Sequence, residues 1–144
     1  MTTTATTSDP RPSPRAEPPV VPLTAIDHVV FRVDDVEAAA AWWRDRFGLA
    51  TERLDEWRAG EAPFPWIRVS ETMILDLWPG EPDGSNVDHV AFVTDPASFD
   101  TFVAANRDDL ERPPGFMGGA RGRGEGAYIL DPSGNRIELR TYRP

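Results

Sequence analysis

IDHVVFRVDD at residues 26–35 and VDHVAFVTDP at residues 87–96 are near copies of one short pattern: Asp-His, an alternating apolar run, then an acidic stop. They carry the only two histidines of the chain, His28 and His89, 61 residues apart. Each run alternates as a strand and each acidic stop suits a helix start. After Asp34, with Glu37 three residues on as a capping box, Val36, Ala40, Trp43 and Phe47 share one helical face, and Gly48 ends the helix. After Asp95-Pro96 the stripe is Phe99, Phe102, Val103, Asn106 and Leu110. Three strands are expected after the first helix, around Ala50 to Leu54, Trp66 to Val69 and Thr72 to Trp78. After the second come Gly-rich sequence, Ala127 to Leu130, the turn Asp131 to Asn135, and Arg136 to Tyr142. A strand-helix-three-strand unit therefore occurs twice, over about 24–82 and 85–144.

Duplication makes a sharper statement about the last strand of each unit. Leu75-Asp76-Leu77 and Ile137-Glu138-Leu139 place a carboxylate 48 and 49 residues after each histidine. Strand parity puts His28 with Val30 and Arg32, away from the greasier face of Val29, Phe31 and Val33 that should pack on a helix. Asp76 and Glu138 likewise project from the face that their aliphatic neighbours avoid. Two half-sheets related by a pseudo-twofold would converge two imidazoles and one or two carboxylates in a single cleft. Nitrogen and oxygen donors of this kind suit Fe(II), Mn, Co, Ni or Zn. Three or four protein ligands leave positions open for substrate, as catalytic rather than structural sites do.

Composition narrows the partners. The chain of 144 residues is long enough for one sizeable core, and its formal charge of -9 repels nucleic acid and anionic membrane surfaces. Without cysteine there is no disulfide, thiolate ligand or Cys nucleophile, which suits a reducing cytoplasm. Residues 1–23, Thr-rich and then Pro-rich, are expected to be a disordered tail, with no apolar signal-peptide core. No later apolar run approaches the roughly twenty residues of a membrane span. A soluble, unexported, cytoplasmic protein is expected.

IDHVVFRVDDVEAAAAWWRDRFGL (26–49) together with YILDPSGNRIELRTY (128–142) resembles the vicinal oxygen chelate superfamily of glyoxalases, bleomycin-resistance proteins and dioxygenases. The resemblance spans about 24–142. It implies an α+β fold of two βαβββ modules, an open U-shaped mixed sheet around a metal cleft, with helices on the outer face. It implies His28, His89 and Glu138 as ligands of a divalent ion and places Asp76 where glyoxalase I-like members carry a fourth, usually glutamate, ligand. Glu138 would then serve catalysis directly, and Tyr128 occupies a position where many members present an aromatic to the cleft. It also implies a small oxygenated substrate chelated through adjacent oxygens, and a homodimer as the commoner assembly.

The remaining candidates are substrate contacts. Trp78 shares parity with Asp76, so it and Trp66 could wall the cleft and stack on a flat molecule. The segment PPGFMGGARGRGEG (113–126) reads as a polar loop or a mobile lid, whose Arg121 and Arg123 could clamp a substrate anion. Isomerase, lyase or epimerase chemistry is favoured over extradiol ring cleavage, because two metal-bound histidines leave none for proton transfer. An antibiotic-binding protein without turnover and a single-domain dioxygenase are the alternatives.

Overall fold

The computed structural model describes residues 17–84, 86–130, 132 and 134–144. The tail expectation for 1–16, and Asp131 and Ser133 of the turn, lie outside the described residues. The first unit runs β1 (Ala25–Val33), α1 (Val36–Phe47), β2 (Thr51–Glu52), α2 (Leu54–Arg58), β3 (Trp66–Ser70) and β4 (Met73–Pro79). The second runs β5 (Val87–Val93), α3 (Pro96–Ala105), β6 (Gly115–Gly119), β7 (Gly122–Leu130) and β8 (Arg136–Thr141).

All eight strands form one mixed sheet in the order β2-β3-β4-β1-β5-β8-β7-β6, curled into a half-barrel. β1 and β5 meet antiparallel at its centre; β4 lies parallel to β1 and β8 parallel to β5. The register makes the two halves equivalent: Asp76 lies beside Val30, and Glu138 beside Ala91, which is 61 residues after Val30. Ladder pairing thus carries both acids to the same level of the sheet.

One face of the sheet is greasy and helix-covered. Ile67, Leu75 and Leu77 form one core with Val29, Phe31, Val33 and α1's Ala39 and Trp43; Phe99, Ala127 and Leu139 form the other with Phe102, Val103 and Leu110. Burying a side chain such as Leu77 stabilises by about 2 kcal/mol. Val21, placed in the tail by its sequence, also packs on the second core, and Thr94 donates to the Pro22 carbonyl. Parity then leaves His28, Asp76, His89 and Glu138 on the opposite, concave side.

Local expectations fared unevenly. Asp95 caps α3 by accepting from Ser98, with proline in the first turn, and Gly48 ends α1 at φ 67 as expected. The cap of α1 is Asp35 instead of Asp34, accepting from the Ala38 amide at 2.9 Å. That one-residue shift leaves Glu37 free to pair with Arg58, so no capping box forms. Phe47 is 58 % exposed, because Trp43 and Leu49 already close the core beneath α1. The strand expected over Ala50 to Leu54 shrinks to two residues. Arg53 turns into the left-handed region at φ 59 and starts α2, whose first-turn Asp55 and Glu56 and last-turn Arg58 suit the helix dipole.

The glycine-rich segment is the largest correction. It forms the paired β6–β7 hairpin rather than a mobile lid. A Cβ on Gly119 would lie 2.5 Å from the Arg140 guanidinium carbon, one on Gly124 2.7 Å from the Thr141 carbonyl oxygen, and one on Gly126 2.7 Å from Glu138 Oε1. These glycines make room for the buried side chains of Arg140 and Glu138 and for the β8 backbone at Thr141.

Candidate metal centre

The central β1–β5 pair and β8 bring three donors together. His28 Nε2 and His89 Nε2 are 3.1 Å apart, and Glu138 Oε2 lies 3.1 Å from the first and 3.2 Å from the second. All three side chains are buried. Their other ends are held. His28 Nδ1 is 2.7 Å from Asp27 Oδ1, His89 Nδ1 is 2.8 Å from Asp88 Oδ2, and Arg140 Nη1 donates to Glu138 Oε1 at 2.9 Å.

This wiring decides what the cluster fits. An aspartate at each Nδ1 favours a proton there, which leaves each Nε2 as a lone pair. Glu138 Oε2 is buried and makes no hydrogen bond among the described residues. Three electron-pair donors therefore face one another across hydrogen-bonding distance, an arrangement that a cation stabilises and its absence does not. Two imidazoles and one carboxylate match the ligand chemistry of a borderline divalent ion. When no ion is bound, a proton on His28 supplies the missing positive charge. Burial alone would raise the Glu138 carboxyl, but the neighbouring histidines and the charge of Arg140 hold it well below the usual range. Burial alone would lower His28, but Asp27 and Glu138 outweigh it and push the imidazole up to about 9.

A second layer fixes these residues. Asp27 accepts from the Ala120 amide at 2.9 Å and the Tyr142 hydroxyl at 2.5 Å. Arg140, fully buried, also donates to the carbonyls of Gly118 and Met117 at 3.1 Å each. Asp88 is held by Arg32 at 3.1 Å and Arg136 at 3.3 Å. The two Asp-His pairs advertise Asp27 and Asp88 in the sequence. Arg140, two residues beyond Glu138 on the same face, was equally findable by parity.

Asp76 lies beside the cluster but outside the group of three whose ligand atoms converge. It is 5 % exposed, its Oδ1 has no hydrogen-bond partner among the described residues, and burial pushes its pKa up to about 6. Over the centre opens a cleft of ≈ 370 Å³ walled by Phe64, Trp66, Ile74, Trp78, Met117 and Tyr128. Tyr128 meets His89 edge to face with centroids 5.3 Å apart and donates its hydroxyl to Met117 Sδ at 3.1 Å. Burial and Glu138 push that phenol above its ordinary value. The cleft therefore gathers His28, His89, Glu138, Asp76, Tyr128, Trp66 and Trp78. It does not gather Arg121 and Arg123. Both are exposed at the hairpin end, Arg121 over the Tyr142 ring and Arg123 over Phe116, because the hairpin's pairing directs them outward. The arginines that line the cleft are Arg53 and Arg112.

Among the described residues no helix is long and apolar enough to cross a membrane. The family model described as Glyoxalase/Bleomycin resistance protein/Dioxygenase superfamily matches residues 25–139. Homoprotocatechuate 2,3-dioxygenase from Arthrobacter globiformis is 27% identical with a TM-score of 0.64, over 83% of this chain and 38% of that one. The Mn(II)-bound glyoxalase from Novosphingobium aromaticivorans is 20% identical with a TM-score of 0.61, over 85% and 40%. A superfamily member from Vibrio splendidus 12B01 is 13% identical with a TM-score of 0.51, over 82% and 100%. The chain thus spans well under half the length of the first two. No protein of curated function matches it.

Proposed function

The chain belongs to the Glyoxalase/Bleomycin resistance protein/Dioxygenase superfamily, and from that premise we propose a divalent-metal-dependent enzyme that acts on a small oxygenated molecule by isomerase, lyase or epimerase chemistry. The observation that carries the reading is the convergence of His28 Nε2, His89 Nε2 and Glu138 Oε2 within 3.1–3.2 Å at the floor of an aromatic cleft. A divalent ion held there supplies a Lewis acid for two adjacent substrate oxygens. Fe(II), Mn, Co, Ni and Zn all suit the donors.

The chain's own residues do the rest. Asp27 and Asp88 keep the imidazoles oriented with Nε2 free. Arg140 holds Glu138 so that Oε2 faces inward. With both histidines committed, proton transfer falls to Asp76, a buried carboxylate lining the cleft whose Oδ1 has no hydrogen-bond partner among the described residues. Tyr128 stays protonated and donates a hydrogen bond to substrate oxygen. Phe64, Trp66 and Trp78 exclude water from a flat substrate. We take the working form to be a cytoplasmic homodimer, which light scattering and cell fractionation check.

Metal analysis of tag-free protein tests the reading. One ion per chain is expected, falling below a tenth in H28A and H89A; equal trace metal in all three overturns it. Oxygen-dependent ring cleavage is the second reading, with a 2,3-dioxygenase among the similar structures at 27% identity. Oxygen uptake with a catechol, by protein loaded with Fe(II), would replace the first reading with this one. Tight metal-independent capture of a flat antibiotic without turnover would replace both.

A further inference from the structure

The cleft mouth repeats the pseudo-twofold in a second way. Trp66 is the register partner of Asp76, and Tyr128 the register partner of Glu138. Each ring carries an arginine over its face: Arg53 Cζ is 5.3 Å from the Trp66 centroid and Arg112 Cζ 4.6 Å from that of Tyr128. Both arginines line the cleft, and among the described residues neither pairs with an acid. Among the described residues they share that with Arg46, Arg107, Arg121 and Arg123, none of which lines the cleft; the place over its aromatic walls is what sets Arg53 and Arg112 apart.

The two are not equal. Arg112 shares a side pocket with Asp88 and Glu111, whose charge opposes a bound anion. Arg53 lines the main cleft, whose own acids are the buried Asp76 and Glu138, and its chain neighbour Glu52 is already paired with Arg68. Its ring partner is fixed, since Trp66 Nε1 donates to Glu52 at 2.6 Å. Arg53 is also the one non-glycine residue with positive φ among the described residues. The left-handed region costs a non-glycine residue roughly 1–2 kcal/mol, and glycine would make the same turn without strain. A strained, unpaired arginine aimed over the wall of a cleft is better explained by a ligand than by the fold.

We propose that the substrate is a small planar carboxylate, its adjacent oxygens directed to the His28–His89–Glu138 centre, its flat body along Trp66, and its carboxylate on Arg53. This rests on the metal-centre reading and names the substrate class for it. A planar guanidinium fork matches a carboxylate, and a single cation suits a monoanion better than a phosphate in a chain of charge -9.

Titration of metal-loaded protein with catechol and with 3,4-dihydroxybenzoate, followed by calorimetry, separates the two claims, because the probes share adjacent oxygens and differ by one carboxylate. The carboxylate should bind at least about tenfold tighter, with the preference falling as salt rises. R53Q should erase the preference while changing catechol affinity less than about twofold, within the scale of a fraction of a kcal/mol. R53G, at ease in the left-handed backbone, should behave the same and covers the case in which R53Q fails to fold. Equal affinities, or a preference that survives R53G and disappears in R112Q, overturn the assignment to Arg53 and leave the metal centre standing. Failure of both probes to bind overturns the proposal together with the reading beneath it.

Discussion

The two halves of this sheet share a register and differ in what stands behind each acid. Asp76 and Glu138 occupy equivalent ladder positions, each parallel to the histidine strand of its own unit and each opposite an aromatic, Trp66 or Tyr128. Two residues further along, the first unit has Trp78 and the second Arg140. Arg140 is fully buried and holds Glu138 Oε1 at 2.9 Å, so Glu138 stays charged in the interior. Asp76 has no such partner for Oδ1 and is one methylene shorter, and burial moves its pKa the opposite way, up to about 6. Backbone symmetry therefore sets where the acids are, while side-chain neighbours decide which is a fixed anion and which exchanges a proton.

The hardest test of that contrast exchanges each acid for its amide. E138Q should lower metal affinity by at least about a hundredfold, since it removes the anionic donor and the nearest carboxylate of the buried Arg140. D76N should change metal affinity less than about threefold yet abolish most turnover, because its carboxylate lies outside the converging group. Competitive chelator titration measures both, and equal losses of affinity would restore Asp76 as a fourth ligand.

Stability should break the comparison in the same direction. R140M removes one partner of a buried pair and is expected to cost about 3–5 kcal/mol. D76N removes an unpaired buried carboxylate and should be neutral or stabilising at pH 7. Urea unfolding of metal-free protein gives both values. The double variant R140M/E138Q should recover part of the loss, which separates charge pairing from packing.

Titration gives a subtler separation. His28 is raised from 6.5 to about 9, so in metal-free protein its contribution is fully present below pH 6.5 and lost as pH climbs to about 9. Asp76, raised from 3.8 to about 6, binds its proton more tightly folded than unfolded, so stability also falls between about pH 4 and 6. Metal-free protein should thus lose stability from pH 6.5 to 9. D76N should remove the lower slope alone. A flat profile over both ranges would mean that the acids and imidazoles are solvated and not clustered.

Much of this was legible. The repeat of Asp-His-Val and the spacing to Asp76 and Glu138 contain the fold, because strand parity and ladder pairing turn them into positions. Legibility stopped where meaning depended on partners remote in sequence. Arg53 looks like part of a strand until its φ is known, and Arg112 sits beside Tyr128 only because the Glu111 amide donates to the Tyr128 carbonyl at 2.9 Å. Arg121 and Arg123 drew attention through their glycines, but Gly122 serves the hairpin turn at φ 93, and Gly124 makes room for Arg140 and the Thr141 carbonyl of β8.

Those glycines give the finest probe of the asymmetry, since the cradle belongs to the second unit. A methyl on Gly126 would stand 2.7 Å from Glu138 Oε1. The carboxylate must then slide away from Arg140 or turn Oε2 out of the cluster, and neither neighbour has slack, both being fully buried. G126A should weaken metal binding by about tenfold, or roughly 1.4 kcal/mol, with a smaller effect on stability than R140M. G115A, on the same hairpin with open space at its Cβ and a φ outside the left-handed range, should leave metal affinity unchanged. If the two alanines behave alike, the hairpin is a passive edge, and the distinction between a clamped glutamate and an unclamped aspartate must come from length alone.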